Sequence, residues 1–296
     1  MKPYRAILIA GPTASGKSAL AVRMAQSHDG VVVNADSMQV YRDMRILTAR
    51  PDETELLAAP HALYGYVGGG EPYSVGRWLG DIAGALADCS RSGLVPVITG
   101  GTGLYFKALL EGLSPIPQIP AGIREQWRCE AARLGAARLH EVLSVRDPET
   151  AARLRPEDTQ RLTRALEVLE ATGRSLSDWQ REPGSPLIAE QDALRLVVTL
   201  DRSELHRRAD ARLDAMMAAG ALDEVEALAG QGYATDAPLM RALGVGPLLD
   251  ALAGKMIFEA ALERTKLDTR QYIKRQETWI RRNMIAWRSI DTQFME

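Results

Sequence analysis

Cysteine is scarce in this 296-residue chain: Cys89 and Cys129 are the only two. They fit neither a metal-ligand spacing nor a disulfide framework, so both read as small packing residues in a reducing compartment. No apolar stretch approaches the length needed to cross a bilayer, and no signal-peptide core precedes the first apolar run. A cytoplasmic location, no membrane partner and a monomeric state are the expectation. An excess of one charge sign is also lacking. The formal net charge is −2, so any surface for nucleic acid must be built from local clusters rather than global charge. Internal repeats and low-complexity tracts are absent. What remains, 46% hydrophobic and 25% charged residues, is ordinary for a globular protein of about two domains that buries its core without staples.

Against that plain background one segment stands out. Residues Gly11-Pro12-Thr13-Ala14-Ser15-Gly16-Lys17-Ser18 form a complete phosphate-binding loop directly after the apolar run 6–10. A strand, then glycines, then a helix is the context this motif requires. The glycines let successive backbone N–H groups curl around a polyphosphate, and the helix opening near Lys17 adds positive potential. Lys17 supplies a mobile point charge, and the Ser18 hydroxyl can reach a Mg²⁺ ion. The loop cradles ATP, other nucleotides and non-nucleotide diphosphates by the same physics, so it alone does not choose among them.

The chain reads as an α/β domain: a parallel sheet of the phosphate-loop type, flanked by helices and interrupted by an all-helical insertion. A helix over 19–27 stopped by Gly30, a buried strand Val31-Val32-Val33, a helix from Ser74 through Cys89 and a strand 94–98 set the rhythm of right-handed crossovers. Pro96 implies that the first half of its strand is not a ladder donor. Pro115, Pro117 and Pro120 mark an exit linker. Helices are then expected over 123–134, 136–144, from Asp147-Pro148, and over 156–172 with Gly173 as the stop. Pro183 and Pro186 precede 194–200, where the sheet resumes. This gives a core of residues 1–113 and 193–296 and an insert of 114–192. Asp201 with Glu204 reads as a capping box for a helix buried along Leu205, Ala209, Leu213 and Met216.

In parallel sheets ligands sit at the carboxyl ends of strands. Three such ends carry the phosphate loop, Asp36 with Ser37 and Gln39, and Thr99-Gly100-Gly101-Thr102-Gly103. Asp36 is placed to act as a base or to help hold magnesium near the phosphates; capping the turn after Val33 is the equal alternative. The third end has no acid, whereas proteins that cleave ATP usually put a magnesium-holding carboxylate there. Thr102 on spacing alone is a helix cap. The last long helix, about 263–287, carries eight basic residues between Arg264 and Arg288 against Asp268 and Glu277. Tyr272, Gln276, Trp279, Asn283 and Trp287 recur at helical spacing and pack the helix down. Arg270, Lys274 and Arg281, with Arg275 and Arg282 beside them, form the best local candidate for a phosphate-backbone contact.

Taken in order, the loop 11–18, Asp36-Ser37-Met38-Gln39-Val40-Tyr41-Arg42, Thr48-Ala49-Arg50-Pro51, Gly100-Gly101-Thr102-Gly103-Leu104-Tyr105 and the run 269–279 from Thr269 to Trp279 resemble the motifs of bacterial tRNA dimethylallyltransferases. The resemblance implies transfer of a dimethylallyl group from dimethylallyl diphosphate to N6 of the adenine 3′ to the anticodon, position 37 of tRNAs reading codons that begin with U. It implies Asp36 as base, Thr102 at the reaction centre and against the tRNA, the loop Thr13 to Ser18 on the diphosphate with Mg²⁺, and Arg241 in Met240-Arg241-Ala242-Leu243-Gly244 as a second catalytic cation. It further implies tRNA contacts from Asp36, Ser37, Met38, Gln39, Lys274 and Arg275. In the insert, which closes over the anticodon stem-loop in relatives, it implies contacts from Arg124 and Gln160-Arg161-Leu162-Thr163-Arg164. The chain departs from the family pattern at Arg50, often lysine, at Val245, often tyrosine, and at Ala62, often a second histidine. Read without the resemblance, a small-molecule or nucleotide kinase and a non-catalytic RNA-binding protein remain open.

Overall fold

The computed structural model describes residues 4–292 and divides into two compact units. One joins the residues up to Leu110 to those from Leu187 onward; the other is Glu111–Pro186. The return to the first unit falls at Leu187 rather than at residue 193. The Leu187 N–H donates to the Leu109 carbonyl at 3.0 Å, and Ile188 is buried beside Leu109 and Ala193, so this stretch already belongs to the sheet's cover.

The first unit opens with strand β1 (Ala6–Ala10), helix α1 (Lys17–His28), strand β2 (Gly30–Asn34), helix α2 (Glu53–Ala58), the short β3 (His61–Ala62), helix α3 (Val75–Ser92), strand β4 (Val95–Gly100) and helix α4 (Gly103–Glu111). After the second unit come β5 (Ala193–Thr199), and later β6 (Arg288–Asp291). The six strands are all parallel, in the order β3-β2-β4-β1-β5-β6. Every residue of β1 is buried because the strand is central and covered on both faces. Ala6, Leu8 and Ala10 pack into one apolar cluster with Trp78, Ile82 and Phe106, while Ile7 and Ile9 pack into another with Leu20, Ala21 and Ala25 of α1. Each such isoleucine or leucine contributes about 1.5–3 kcal/mol of burial.

Pro96 sits in a central strand without breaking it. Its neighbour Val95 donates to Asp29 on the β2 side, so alternation turns the missing Pro96 donor toward β1. The β1 ladder begins only at Val97. Local signals set other boundaries. Ser74 caps α3 by accepting from the Arg77 N–H. Helix α1 ends on Asp29, which takes the left-handed cap at φ 49° and leaves Gly30 free to begin β2.

In the second unit, α5 (Ala121–Arg146) breaks at Gly135, where φ is 74°. Next come α6 (Pro148–Arg153), α7 (Thr159–Thr172) and α8 (Leu176–Trp179). Helix α7 starts three residues later than the proline at 156 suggests, because Asp158 accepts from the Arg161 N–H and acts as its cap. Trp127, Leu139, Leu143, Leu162 and Leu166 form this unit's own core.

The first unit finishes with α9 (Arg202–Ala218), α10 (Ala221–Gly230), α11 (Val245–Leu252) and α12 (Phe258–Asn283), before β6. The expected capping box at Asp201 is incomplete. Asp201 accepts from the Ser203 N–H, but Glu204 turns outward to Arg207 and Arg208. Helix α12 lies about five residues earlier than its aromatic spacing suggests. Trp287 falls beyond it and packs edge-on against Phe106, 5.5 Å between centroids.

Candidate active site

The phosphate loop is shaped by two left-handed residues, Ala14 at φ 65° and Gly16 at φ 85°. That alternation turns amides toward one point, where the first N–H groups of α1 also aim because they lack intrahelical acceptors. Ser15 is fully buried, and its carbonyl accepts from the Thr292 hydroxyl at 3.0 Å. The Thr13 amide is not free for an anion, since it donates to Gln276 Oε1 at 2.8 Å. Lys17 Nζ rests on the Pro12 carbonyl at 3.2 Å. Desolvation and the nearby Arg212 push its ammonium down to about 8 from 10.5, with Asp36 pulling the other way.

Arg212 is a charged neighbour of Lys17 and Asp36 that motif reading missed. It lies in α9 within a run of alternating charges that resembles any solvated helix face. Yet its guanidinium feels both Lys17 and Asp36: it is held below its ordinary value by desolvation, and Asp36 opposes that shift. Arg241, the cation expected from the resemblance, ends a 3₁₀ turn over Pro238–Arg241, is exposed, and donates to the Asp236 carbonyl at 3.1 Å. Arg212 and Arg241 are both exposed, and of the two it is Arg212 whose charge is coupled to Lys17 and Asp36.

Asp36 follows β2, and its backbone is pinned by the buried Asn34. Asn34 Oδ1 accepts from the Asp36 N–H at 2.8 Å, and its amide donates to the carbonyls of Asp36 and Leu63, each at 3.0 Å. The Asn34 carbonyl in turn accepts from the Trp78 indole N–H at 2.9 Å. Asp36 Oδ1 accepts from the Met38 N–H at 2.9 Å, a turn cap, while Oδ2 takes no hydrogen bond among the described residues. Both sequence readings of Asp36 are therefore compatible: one oxygen holds the turn and the other is open. Thr102 does not cap α4 with its side chain. Its hydroxyl accepts from the Ser37 N–H at 3.0 Å and lies 3.4 Å from the Ser37 hydroxyl, tying the two strand-end loops together.

The segment after Asp36 is braced internally. Both amide hydrogens of Gln39 are spent on the Thr48 and Ala49 carbonyls, 2.9 and 2.8 Å. Arg50 donates to the carbonyls of Tyr41 and Arg42, so the charge kept at this position holds the loop's shape. Glu224 of α10 accepts from the Arg45, Ile46 and Leu47 amides. Met38 packs partly against the Val40, Tyr41 and Met44 cluster. Val245 is fully buried in that cluster.

On α12, Arg270 is taken up by Asp210. Lys274, Arg275, Arg281 and Arg282 are exposed and have no carboxylate partner among the described residues. In the second unit Arg124 and Gln160 are exposed and Thr163 is half-buried; Arg161 pairs with Asp158 and Arg164 with Glu167, both at 3.3 Å. Leu162 differs from its neighbours in the run. Its side chain is fully buried in that unit's core, because α7 turns every third or fourth residue inward. No cluster of three or more His, Cys, Asp or Glu suited to a metal occurs among the described residues.

A phosphate loop at the carboxyl end of the central strand of a parallel sheet, beside a carboxylate and without a magnesium-holding acid on β4, defines a phosphate-binding transferase core. The family profile described as IPP transferase matches residues 39–283, and that described as isopentenyl transferase matches residues 4–62. The chain belongs to the IPP transferase family. It is 52% identical over 281 residues to the tRNA dimethylallyltransferase of Agrobacterium fabrum, covering 95% of this chain and 94% of that one. It is 50% identical to that of Azorhizobium caulinodans, covering 97% and 92%. Among solved structures it resembles the full-length tRNA isopentenylpyrophosphate transferase of Bacillus halodurans at 30% identity, TM-score 0.70, over 97% of this chain and 90% of that chain. It also resembles a eukaryotic dimethylallyltransferase acting on tRNA at 29% identity, TM-score 0.84, over 97% of this chain and 73% of that one.

Proposed function

We propose that this protein transfers a dimethylallyl group from dimethylallyl diphosphate to N6 of the adenine 3′-adjacent to the anticodon of tRNA, releasing diphosphate. The observation that carries this reading is the open Asp36 oxygen beside the phosphate loop and Lys17, with the charge of Arg212 acting on both groups. Two cations and inward amides suit a departing diphosphate, and a free carboxylate oxygen suits a proton leaving nitrogen. A kinase reading lacks its acid, since β4 ends in Thr99-Gly100.

Adenine N6 is a weak nucleophile because its lone pair is delocalised into the ring. The allylic C1–O bond breaks with its electrons going to the diphosphate, the N6–C1 bond forms, and Asp36 takes the N6 proton. Lys17, Arg212 and the loop amides stabilise the charge growing on the leaving oxygens, the type of interaction that usually contributes most to such catalysis. Mg²⁺ fits as a partner of the diphosphate: the exposed Ser18 hydroxyl offers one oxygen, substrate and water the rest, and the ion when bound neutralises leaving-group charge. An anticodon-loop adenine leaves its stack at lower cost than a duplex base. The unpaired cations of α12 and the exposed polar residues Arg124, Gln160 and Arg161 of the helical unit are the proposed tRNA contacts.

Incubation with labelled dimethylallyl diphosphate and unmodified tRNA, followed by nucleoside analysis, tests the reading. Label in N6-dimethylallyladenosine is expected; label-free tRNA with diphosphate-dependent turnover of another acceptor would overturn it.

A further inference from the structure

Gln276 lies on α12, a helix otherwise read as packing and surface charge, and is 6% exposed. Its amide spans two loops that are far apart in sequence. Oε1 accepts from the Thr13 N–H of the phosphate loop at 2.8 Å, and Nε2 donates to the Gly101 carbonyl of the loop after β4 at 3.1 Å. The contact with Gly101 is so close that a Cβ there would fall 2.2 Å from Nε2; the same point lies 3.6 Å from Asp36 Oδ2. Gly103 similarly admits the Trp279 ring, 2.2 Å from where its Cβ would sit. The glycines after β4 thus make room for α12. The next residue after Gly101 is Thr102, whose hydroxyl holds the Asp36-Ser37 turn.

We propose that Gln276 is a positioning residue that fixes the diphosphate loop relative to Asp36. The amide suits this because one end accepts from Thr13 and the other donates to Gly101. The strut sets the distance between the leaving group and the base, so it acts on the chemical step rather than on the capture of either substrate. This role rests on the transferase reading above.

Two variants test it in the full-length protein. Gln276→Leu keeps the bulk and removes both bonds; kcat is expected to fall about 30-fold or more, with the KM for each substrate within about threefold of wild type. Gln276→Glu keeps the acceptor for Thr13 but, when ionised, sets a second acceptor against the Gly101 carbonyl. Protonated, it donates as glutamine does. Its kcat relative to wild type should therefore recover as pH falls from about 8 to about 6. Taking the ratio removes the pH dependence common to both proteins. A kcat within about threefold of wild type in both variants, or a deficit in Gln276→Glu that ignores pH, overturns the proposal. Hydrogen exchange at the Thr13 amide is independent of catalysis: protected in wild type and unprotected in Gln276→Leu is expected, and no difference overturns the strut. If wild type itself makes no prenylated nucleoside, the transferase reading fails while the exchange result still decides the contact.

Discussion

The Lys17 ammonium is the most sensitive probe of the diphosphate site, because its value of about 8 puts its titration within reach of an ordinary binding experiment. Bound diphosphate favours the charged form, so affinity is highest where Lys17 is already protonated and falls as pH rises through 8. A group at 8 is about 91% charged at pH 7 and about 9% charged at pH 9, a loss of roughly tenfold. At the ordinary lysine value of 10.5 it would stay charged throughout and the loss would vanish. Calorimetric titration of the tRNA-free protein with dimethylallyl diphosphate at these two pH values measures both quantities. About one proton should be taken up per ligand bound at pH 9, and almost none at pH 7. Gln in place of Lys17 should bind more weakly and show no pH step. Equal affinity at both pH values in wild type, with no proton uptake, would refute the argument that Arg212 and desolvation act on this lysine. The same depression makes the unliganded fold gain stability between about 8 and 10.5, where the unfolded chain holds the proton and the folded one does not.

The remaining predictions address the other parts of the site. Asp36→Asn keeps the Met38 cap and removes the base, so the melting temperature should stay within a few degrees while single-turnover transfer falls about 10²-fold or more; normal transfer with a lowered melt would make Asp36 a cap alone. Arg212→Gln should weaken dimethylallyl diphosphate binding by roughly tenfold or more, whereas Arg241→Gln, whose guanidinium holds the Asp236 carbonyl, should change it by less than about threefold; the reverse order in the same titration would restore Arg241 as the second cation. Replacing Lys274 and Arg275 together by Gln should lower the slope of log affinity for tRNA against log salt by about one to two. An unchanged slope would remove α12 from the RNA surface.

Much of this protein is written locally in its sequence. The phosphate loop is contiguous, and its left-handed residues and helix start are decided by neighbours in the chain. The same holds for the buried run 6–10, the Ser74 cap of α3 and the Gly135 break, which backbone propensities and side-chain caps fix within a few residues. Strand β6 left no such trace, because Arg288-Ser289-Ile290-Asp291 is a short, mostly exposed edge whose pairing with β5 supplies the order. The site's working contacts were decided only by the tertiary structure. Gln276 meets Thr13 across 263 positions, Thr102 meets Ser37 across 65, and the charge of Arg212 acts on Lys17 from a helix whose charge pattern carries no motif. Leu162, set in a polar run, shares the inward face of α7 with Ala165 and Leu166, in the core that also holds Trp127 and Leu139. Periodicity and caps determine which backbone a segment adopts; which distant side chains share a hydrogen bond depends on how the sheet and helices bring their ends together.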